Sequence, residues 1–202
     1  MRITSEEQLR QILPPPREST KAKLLDHLDE QALAFLAASP FLLLSTVGRD
    51  GEVEVSPKGD EPGFVQAEDA RTLLIPDRSG NNLAFGLTNI LHNPQVGAIA
   101  LRPATGETLR FSGTAEILAD PALLQRLSMR GRPALLAIRI HIERAYFHCA
   151  KSVLRSSLWQ PDKWPAPQNI SFGRIIGKKL GADARLEQQI DTMVEEAYQK
   201  VL

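Results

Sequence analysis

The sequence is poor in cysteine and in aromatic residues, and it carries no excess of either charge. Cys149 stands alone, so no disulfide can form within the chain, and a reducing compartment is expected. Lysine and arginine number 24, as do aspartate and glutamate, so no long-range field favours nucleic acid or an anionic membrane. An anion that binds this chain must therefore be held by local contacts.

Long apolar runs are also lacking. The longest, 41–44 and 134–138, are far shorter than the roughly 20 residues that cross a bilayer. The segment 1–16 contains Glu6 and Glu7 and no uninterrupted apolar core, so no signal peptide is expected. We expect a cytoplasmic protein whose partners include neither a membrane nor a nucleic acid.

Several catalytic signatures are missing. The phosphate-binding patterns GxxxxGK[ST] and GxGxxG and the nucleophile elbow GxSxG do not occur. The four histidines show no metal-ligand spacing with one another or with Cys149, so no metal site is predicted. His148 and Cys149 are neighbours on a predicted strand and point to opposite faces, which argues against a base and thiol pair. We expect Cys149 to be a small core residue.

Apolar residues at helical spacing predict helices at both ends of the chain and between strands. Ser5 opens a short first helix that the prolines at 14–16 end. A second helix is predicted from a cap at Ser19 or Thr20 to Pro40. Further helices are predicted at 81–92, 121–129 and 150–158. The terminal helix carries one apolar stripe, formed by Leu186, Ile190, Met193, Ala197 and Val201.

Runs of β-prone residues predict strands at 41–47, 52–56, 63–66, 72–76, 96–102, 108–118 and 134–148. Asp50 and Gly51 lie in the turn of a hairpin between the first two. So many strands in one connected region suggest a small barrel. We expect a helical extension at 1–40, a barrel domain at 41–167, and a helical segment at 168–202 packed on the same domain.

Two loops that follow strands carry groups suited to a phosphate or a polar ring. The first contains Ser56, Pro57 and Lys58, although an ordinary polar turn would have the same composition. The second, IPDRSGNN at 75–82, lies where a strand ends and a helix begins, so free backbone amides and Arg78 could bind an anion. The alternative is that Ser79 or Asn81 caps the helix while Arg78 is solvated.

Two further segments carry polar or cationic groups on one face. Thr108, Arg110 and Ser112 alternate along one strand, as in many solvated strands. Lys151 and Arg155 lie four residues apart on one predicted helix face, with Trp159 nearby as a ring-stacking surface. Two neighbouring cations repel each other unless an anion lies between them, but a solvated basic face remains the alternative.

Taken in order, the segments FLLLSTVGRDGEVEVSPKGDEPGFV, IPDRSGNNL, ILHNPQVGAIAL, ETLRFSGTAEIL and FHCAKSVLRSSLW resemble the pyridoxamine 5'-phosphate oxidase-like split-barrel flavoproteins. Within that family, the chain is similar to FMN-dependent members of unassigned substrate. The resemblance implies an α+β, mainly β fold: a six-stranded antiparallel split β-barrel with peripheral helices. It also implies a homodimer with FMN in a groove between the subunits.

The resemblance implies a site residue by residue. Ser56, Pro57 and Lys58 correspond to ring and phosphate contacts. The ring edge and phosphate cradle correspond to Pro76, Asp77, Arg78, Asn81 and Asn82, and the strand contacts to Thr108 and Arg110. A segment that approaches the cofactor or substrate, from the other subunit, corresponds to Lys151, Arg155, Ser156 and Trp159.

The family pattern is not complete in this sequence. True pyridoxamine phosphate oxidases carry an Arg-Lys pair in the cradle and an Arg-rich C-terminal motif, whereas this chain has Asn81, Asn82 and a C-terminal helix. We therefore expect an FMN-dependent oxidoreductase with a small-molecule electron donor or acceptor other than vitamin B6, and no catalytic residue is assigned. The alternatives are a non-catalytic flavin-binding or redox-sensing protein, because only His148 stands out as a general acid or base, and a haem-binding split barrel.

Overall fold

The computed structural model describes residues 2–80, 82–181 and 183–201. The chain divides into two compact units, one up to Trp159 and one from Gln160 on. The strands of the first unit are β1 Phe41–Val47, β2 Val53–Gly59, β3 Gln66–Asp69, β4 Thr72–Asp77, β5 Gln95–Leu101, β6 Thr108–Leu118 and β7 Leu136–His148. Its helices are α1 Glu6–Ile12, α2 Glu18–Lys21, α3 Glu30–Ala37, α4 Phe85–His92, α5 Pro121–Arg126 and α6 Lys151–Ser156. The second unit holds a 3-10 turn, Pro161–Lys163, and helices α7 Phe172–Leu180 and α8 Ala184–Val201.

All strands belong to one antiparallel sheet, in the order β2-β1-β5-β6-β7-β4-β3. Burial alternates along β1, β5 and most of β6, so that one side of the sheet is the inner side. The sheet also curls: Lys58 of edge strand β2 hydrogen-bonds Asp77 at the end of β4, which brings two strands that are distant in the strand order close together. Within the described residues β2 pairs with β1 alone. The result is a split β-barrel of seven strands rather than the six expected, and its opening lies between β2 and β4.

The inner side of the sheet holds the main apolar core. Its fully buried members include Leu42, Leu73, Ala100, Leu109 and Ile140, and Phe35 of α3 packs edge to face on Phe147 with ring centroids 5.4 Å apart. A smaller cluster lies under α5 and is formed by Leu74, Leu123, Leu127, Ala134 and Ala137. Both clusters include residues of β4 and β7, so these two strands are packed on both sides.

The prediction of one long second helix that ends at Pro40 is wrong. The segment forms two short helices, α2 and α3, separated by residues that pair with the sheet: Leu25 exchanges two backbone hydrogen bonds with Ala145, and the Leu28 amide bonds the Ala70 carbonyl. Asp29 then caps α3 by accepting a bond from the Ala32 amide at 2.8 Å. The apolar residues do have helical spacing, but the backbone groups of Leu25 and Leu28 form hydrogen bonds with Ala145 and Ala70 instead of within a helix.

Most strands lie within two residues of their expected bounds, and the turn after Gly48 is confirmed, with Gly51 at φ +88°. The third strand is displaced, from the expected 63–66 to β3, and α4 begins at Phe85 rather than at residue 81. Within the helical segment expected at 168–202, the structure has two helices, α7 and α8. Cys149, expected in the core, is exposed. The expected domain bounds stay a prediction.

Candidate functional site

A cavity of about 610 Å³ opens at the split of the barrel. Its walls come from β2, the end of β4, the loop from Ser79 to Ala84, the start of α4 and the start of β7. Seven residues singled out from the sequence line it: Ser56, Pro57, Lys58, Pro76, Asp77, Arg78 and Asn82. Asn81, the eighth from these two loops, lies outside the described residues. The fold therefore brings together two loops that are about 20 residues apart in the sequence.

Local structure explains how the two strands present these residues. Alternation along β2 places Glu54, Ser56 and Lys58 on the inner, half-buried side. On β4, Pro76 interrupts no hydrogen bond of the ladder to β3, because that ladder ends at Leu74. Asp77 follows directly, and it is the last residue of the strand.

Lys58 and Asp77 form a largely buried ion pair across the split. The Lys58 ammonium donates a hydrogen bond to Oδ1 of Asp77, and their side chains are only 17% and 15% exposed. Each charge therefore replaces part of the water that the other has lost. This pair closes the barrel and at the same time forms one wall of the cavity.

The Arg78 guanidinium is hydrogen-bonded through two of its three nitrogens. Nε donates to Oδ2 of Asp60 at 2.8 Å, and one terminal nitrogen donates to the Leu127 carbonyl at 2.9 Å. The other terminal nitrogen, Nη1, is buried and has no hydrogen-bond partner. A buried donor without an acceptor is costly, so an acceptor supplied by a ligand would stabilise this position.

The start of α4 forms another wall. Its N-cap, Ala84, has the left-handed φ of 53° and no side-chain cap, and Asn82 has φ 59°. Neither Ser79 nor Asn82 caps the helix, and Phe85, Gly86 and Leu87 of its first turn line the cavity. The helix dipole adds positive potential at that end. An anion is the ligand that this wall favours.

Apolar side chains surround the polar walls. Leu83, Phe85 and Leu135 line the cavity and are each more than half exposed, while Leu44 and Ile138 come from the core side. Exposed apolar residues beside a cavity contribute contact area for a flat apolar ligand. The arrangement can hold a molecule that is planar and apolar at one part and anionic at another.

The remaining predicted residues do not line this cavity. The register places Lys58 opposite Leu42, Leu42 opposite Ala100, and Ala100 opposite Leu109, so Lys58 and Leu109 share the inner side. Thr108 and Arg110 therefore lie on the outer side of the sheet. There Arg110 has a buried Nε without a hydrogen-bond partner.

Helix α6 begins three residues after the end of β7, where His148 pairs with Thr108. Trp159 is half-buried and donates from its indole nitrogen to the Thr105 carbonyl at 2.8 Å, so it is fixed on the loop before β6. Lys151, Arg155 and Ser156 are exposed, and so is Leu154 between the two cations. We call Thr108, Arg110, Lys151, Arg155, Ser156 and Trp159 the distal group.

Sequence reasoning missed the residues that position Arg78. Asp60 lies two residues after Lys58, and a single acidic residue there carries no recognisable pattern. The Leu127 group is a backbone carbonyl, which no side-chain pattern could reveal. Arg130 adds a second link between the same segments by donating to Glu61 at 2.7 Å, which raises the pKa of Arg130. The segment after α5 thus helps to build the cavity wall.

Two further findings concern the described residues alone. No three His, Cys, Asp or Glu side chains among them are grouped in a way that could hold a metal ion. None of the helices in the ranges given above combines the length and the apolar character that crossing a bilayer requires.

Comparisons with known proteins identify the family. No curated protein matches the chain significantly. Similar solved structures include HupZ of Group A Streptococcus, 19% identical over 59% of this chain and 93% of that chain, with a TM-score of 0.48. An FMN-binding protein of Syntrophomonas wolfei is 12% identical over 70% of this chain and 95% of that chain, with a TM-score of 0.46. The family model for pyridoxamine 5'-phosphate oxidase matches residues 28–149, which include the entire sheet, and the chain therefore belongs to that family.

Proposed function

We propose that this protein binds FMN in the cavity at the barrel split and acts as an FMN-dependent oxidoreductase on a small molecule. The observation that carries the proposal is Arg78, whose buried Nη1 lacks an acceptor in a wall that also contains the start of α4. A phosphate oxygen would supply that acceptor. The cavity volume of about 610 Å³ lies within the range of sites that bind cofactors.

Each part of FMN has a matching part of the cavity. Arg78 and the first amides of α4 would hold the phosphate, while Ser56 and Lys58 would contact polar atoms of the ring or phosphate. The apolar side chains of Leu83, Phe85 and Leu135 would pack against the flat ring. Bound flavin supplies the electron-transfer chemistry, and the protein supplies orientation and electrostatics.

We also propose that the working form is a twofold homodimer. The outer side of β2 and β1 is apolar, and Val53 and Val55 are 65% and 52% exposed on an edge strand. A partner that covered this side would remove apolar surface from water. No member of the distal group lines the cavity of its own chain, and in a dimer the group would complete the cavity of the partner subunit. The compartment would be the cytoplasm, as expected from the single cysteine.

Haem is a weaker candidate for this cavity. Among the described residues that line it, none is a histidine, so a common axial ligand is missing there. A flavin-binding protein without turnover would use the same cavity and would differ only in the outcome of a kinetic assay. If the protein does turn over, the residues on the substrate side would be those of the distal group.

Visible spectroscopy of the purified protein, loaded with FMN if needed, tests the proposal. Flavin absorbance that follows the protein, together with calorimetric binding of FMN tenfold or more tighter than of riboflavin, is expected because of the phosphate contacts. Equal affinities for FMN and riboflavin would exclude the proposed phosphate site, and a Soret band in the spectrum would indicate haem. Reduction of the bound flavin by a nicotinamide donor would separate an enzyme from a sensor.

A further inference from the structure

The wall of the cavity carries a carboxylate, Glu54, that has no partner within the part of the chain that the structure describes. The other charged residues of the described wall are all paired. Lys58 and Asp77 form an ion pair with each other, and Arg78 is paired with Asp60. The cavity therefore has one uncompensated negative charge, and it lies at Glu54.

Glu54 lies at a different place along the cavity wall from the paired charges. It shares the half-buried side of β2 with Ser56 and Lys58. Each residue of a strand adds about 3.3 Å, so the backbone of Glu54 lies about 13 Å from that of Lys58. The carboxylate is thus well separated from the point at which Lys58 and Asp77 close the barrel.

The neighbouring polar groups are engaged elsewhere. The residue opposite Glu54 on β1 is Thr46, whose hydroxyl accepts a hydrogen bond from Nδ2 of Asn89 at 3.1 Å. Arg49, in the turn between β1 and β2, bonds the ring of His92 instead. A carboxylate that has lost part of its water without gaining a partner is costly. A cation or hydrogen-bond donor supplied by a ligand would stabilise it.

Apolar side chains are available to the same ligand. Phe85 and Leu87 line the cavity and belong to α4, which packs against β1 and β2. Phe85 is 56% exposed, so its ring has free surface. Aromatic rings attract cations, and apolar surroundings strengthen the attraction between a cation and a carboxylate.

We propose that Glu54 selects the substrate of the oxidoreductase, and that this substrate is a small organic cation, apolar apart from a positively charged N–H group. The N–H group donates to the carboxylate, while the apolar part contacts the α4 side of the cavity. This inference rests on the proposed function, because it concerns the molecule that exchanges electrons with the flavin. A phosphate bound at Arg78 would add negative charge and favour a cation further. An anionic substrate would meet a like charge at Glu54.

Titration calorimetry with benzamidine and benzamide tests the recognition of charge. The two probes have nearly the same shape, but only benzamidine is a cation at neutral pH. The full-length protein, with and without FMN, is compared with Glu54→Gln, which keeps the size of the side chain and removes its charge. Glu52→Gln is the matched control, because Glu52 is exposed and is not among the described residues that line the cavity.

We expect benzamidine to bind about tenfold or more tightly than benzamide to the parent and to Glu52→Gln. The two probes should bind equally to Glu54→Gln, and the FMN affinity of that variant should stay within about twofold of the parent. A preference for benzamidine that survived in Glu54→Gln would overturn the proposal. So would the absence of any preference in the parent, and Glu54 would then only complement the dipole of α4.

Flavin binding by the same variant separates this inference from the proposed function. If Glu54→Gln weakened FMN and riboflavin alike, the carboxylate would belong to the flavin site and the inference would be wrong. A preference for benzamidine without any FMN binding would refute the proposed function and leave the cation site standing. FMN binding without a preference for benzamidine would refute the inference alone.

Discussion

Arg78 donates from Nε to Oδ2 of Asp60 at 2.8 Å, and the two side chains are 25% and 16% exposed. This bond fixes the guanidinium while Leu127 holds a second nitrogen, so that only Nη1 is left for a ligand. The carboxylate and the carbonyl act on Arg78 from segments 18 and 49 residues away in the sequence. The anion-binding capacity of the cavity thus depends on the loop after β2 and the end of α5 as well as on Arg78.

Replacing Arg78 by methionine should weaken FMN binding tenfold or more and leave riboflavin binding within about twofold, because the lost contact is to the phosphate. Isothermal titration calorimetry with both ligands measures this difference. Arg126→Met is the control, since Arg126 bonds Glu68 at 3.2 Å and does not line the cavity. An equal loss for the two ligands would show that Arg78 supports the cavity without binding phosphate.

Replacing Lys58 by methionine should lower the free energy of unfolding by about 1 to 3 kcal/mol, since Asp77 would lose its partner in a partly buried place. Chemical denaturation measures the change. Lys21→Met serves as the control, because Lys21 pairs with Glu18 on the surface, where such pairs contribute little. A Lys58→Met variant as stable as the parent would mean that the pair does not close the barrel.

Mixing two defective variants tests whether the distal group completes the partner's cavity. Homodimers of Arg78→Met and homodimers of Arg155→Met should each lose the reduction of bound FMN by a nicotinamide donor. After subunit exchange, random pairing should restore about a quarter of the parent activity, because half of the dimers regain one intact site. Lys163→Met, a change in the neighbouring loop, should behave like the parent. Absence of any recovery despite confirmed exchange would place both residues in the same subunit's site.

Replacing Gly173 by alanine should separate α7 from α8, since the new methyl carbon would overlap the Glu187 carbonyl oxygen. We expect a local loss of about 1 to 3 kcal/mol, seen as faster amide exchange in both helices. Gly97→Ala is the control, because a Cβ there meets nothing within 4 Å. Unchanged exchange in the Gly173 variant would contradict the close approach.

The hydrogen-exchange protection of helices α7 and α8 should also depend on pH. The hydrogen bond from the Ser171 hydroxyl, followed by that from the Gly173 amide, holds the pKa of Asp191 below its usual value of 3.8. Because the folded pKa is the lower one, this contribution is complete above about pH 3.8 and is lost as the pH falls through the lowered value. Exchange measured between pH 5 and pH 2 should show the loss, and Asp191→Asn should abolish this pH dependence. A parent chain with the same profile as the variant would refute the role of the carboxylate.

The sequence predicted the sheet well because strand signals are local. Alternation in 108–118 predicted β6 at its observed bounds, and the turn residues Asp50 and Gly51 lie where the chain reverses. It failed for 20–40, where Leu25 and Leu28 have helical spacing but bond to Ala145 and Ala70. Partners so distant in the sequence leave no local signal.

The sequence by itself determined the strands, the family pattern and the residue types of the site, because each depends on neighbours along the chain. Only the tertiary structure decided which residues meet. It placed Lys58 against Asp77 and Arg78 against Asp60, and it put Arg110 on the opposite side of the sheet from Lys58. The reason is that register and curling of the sheet, which set those distances, result from packing between segments remote in sequence.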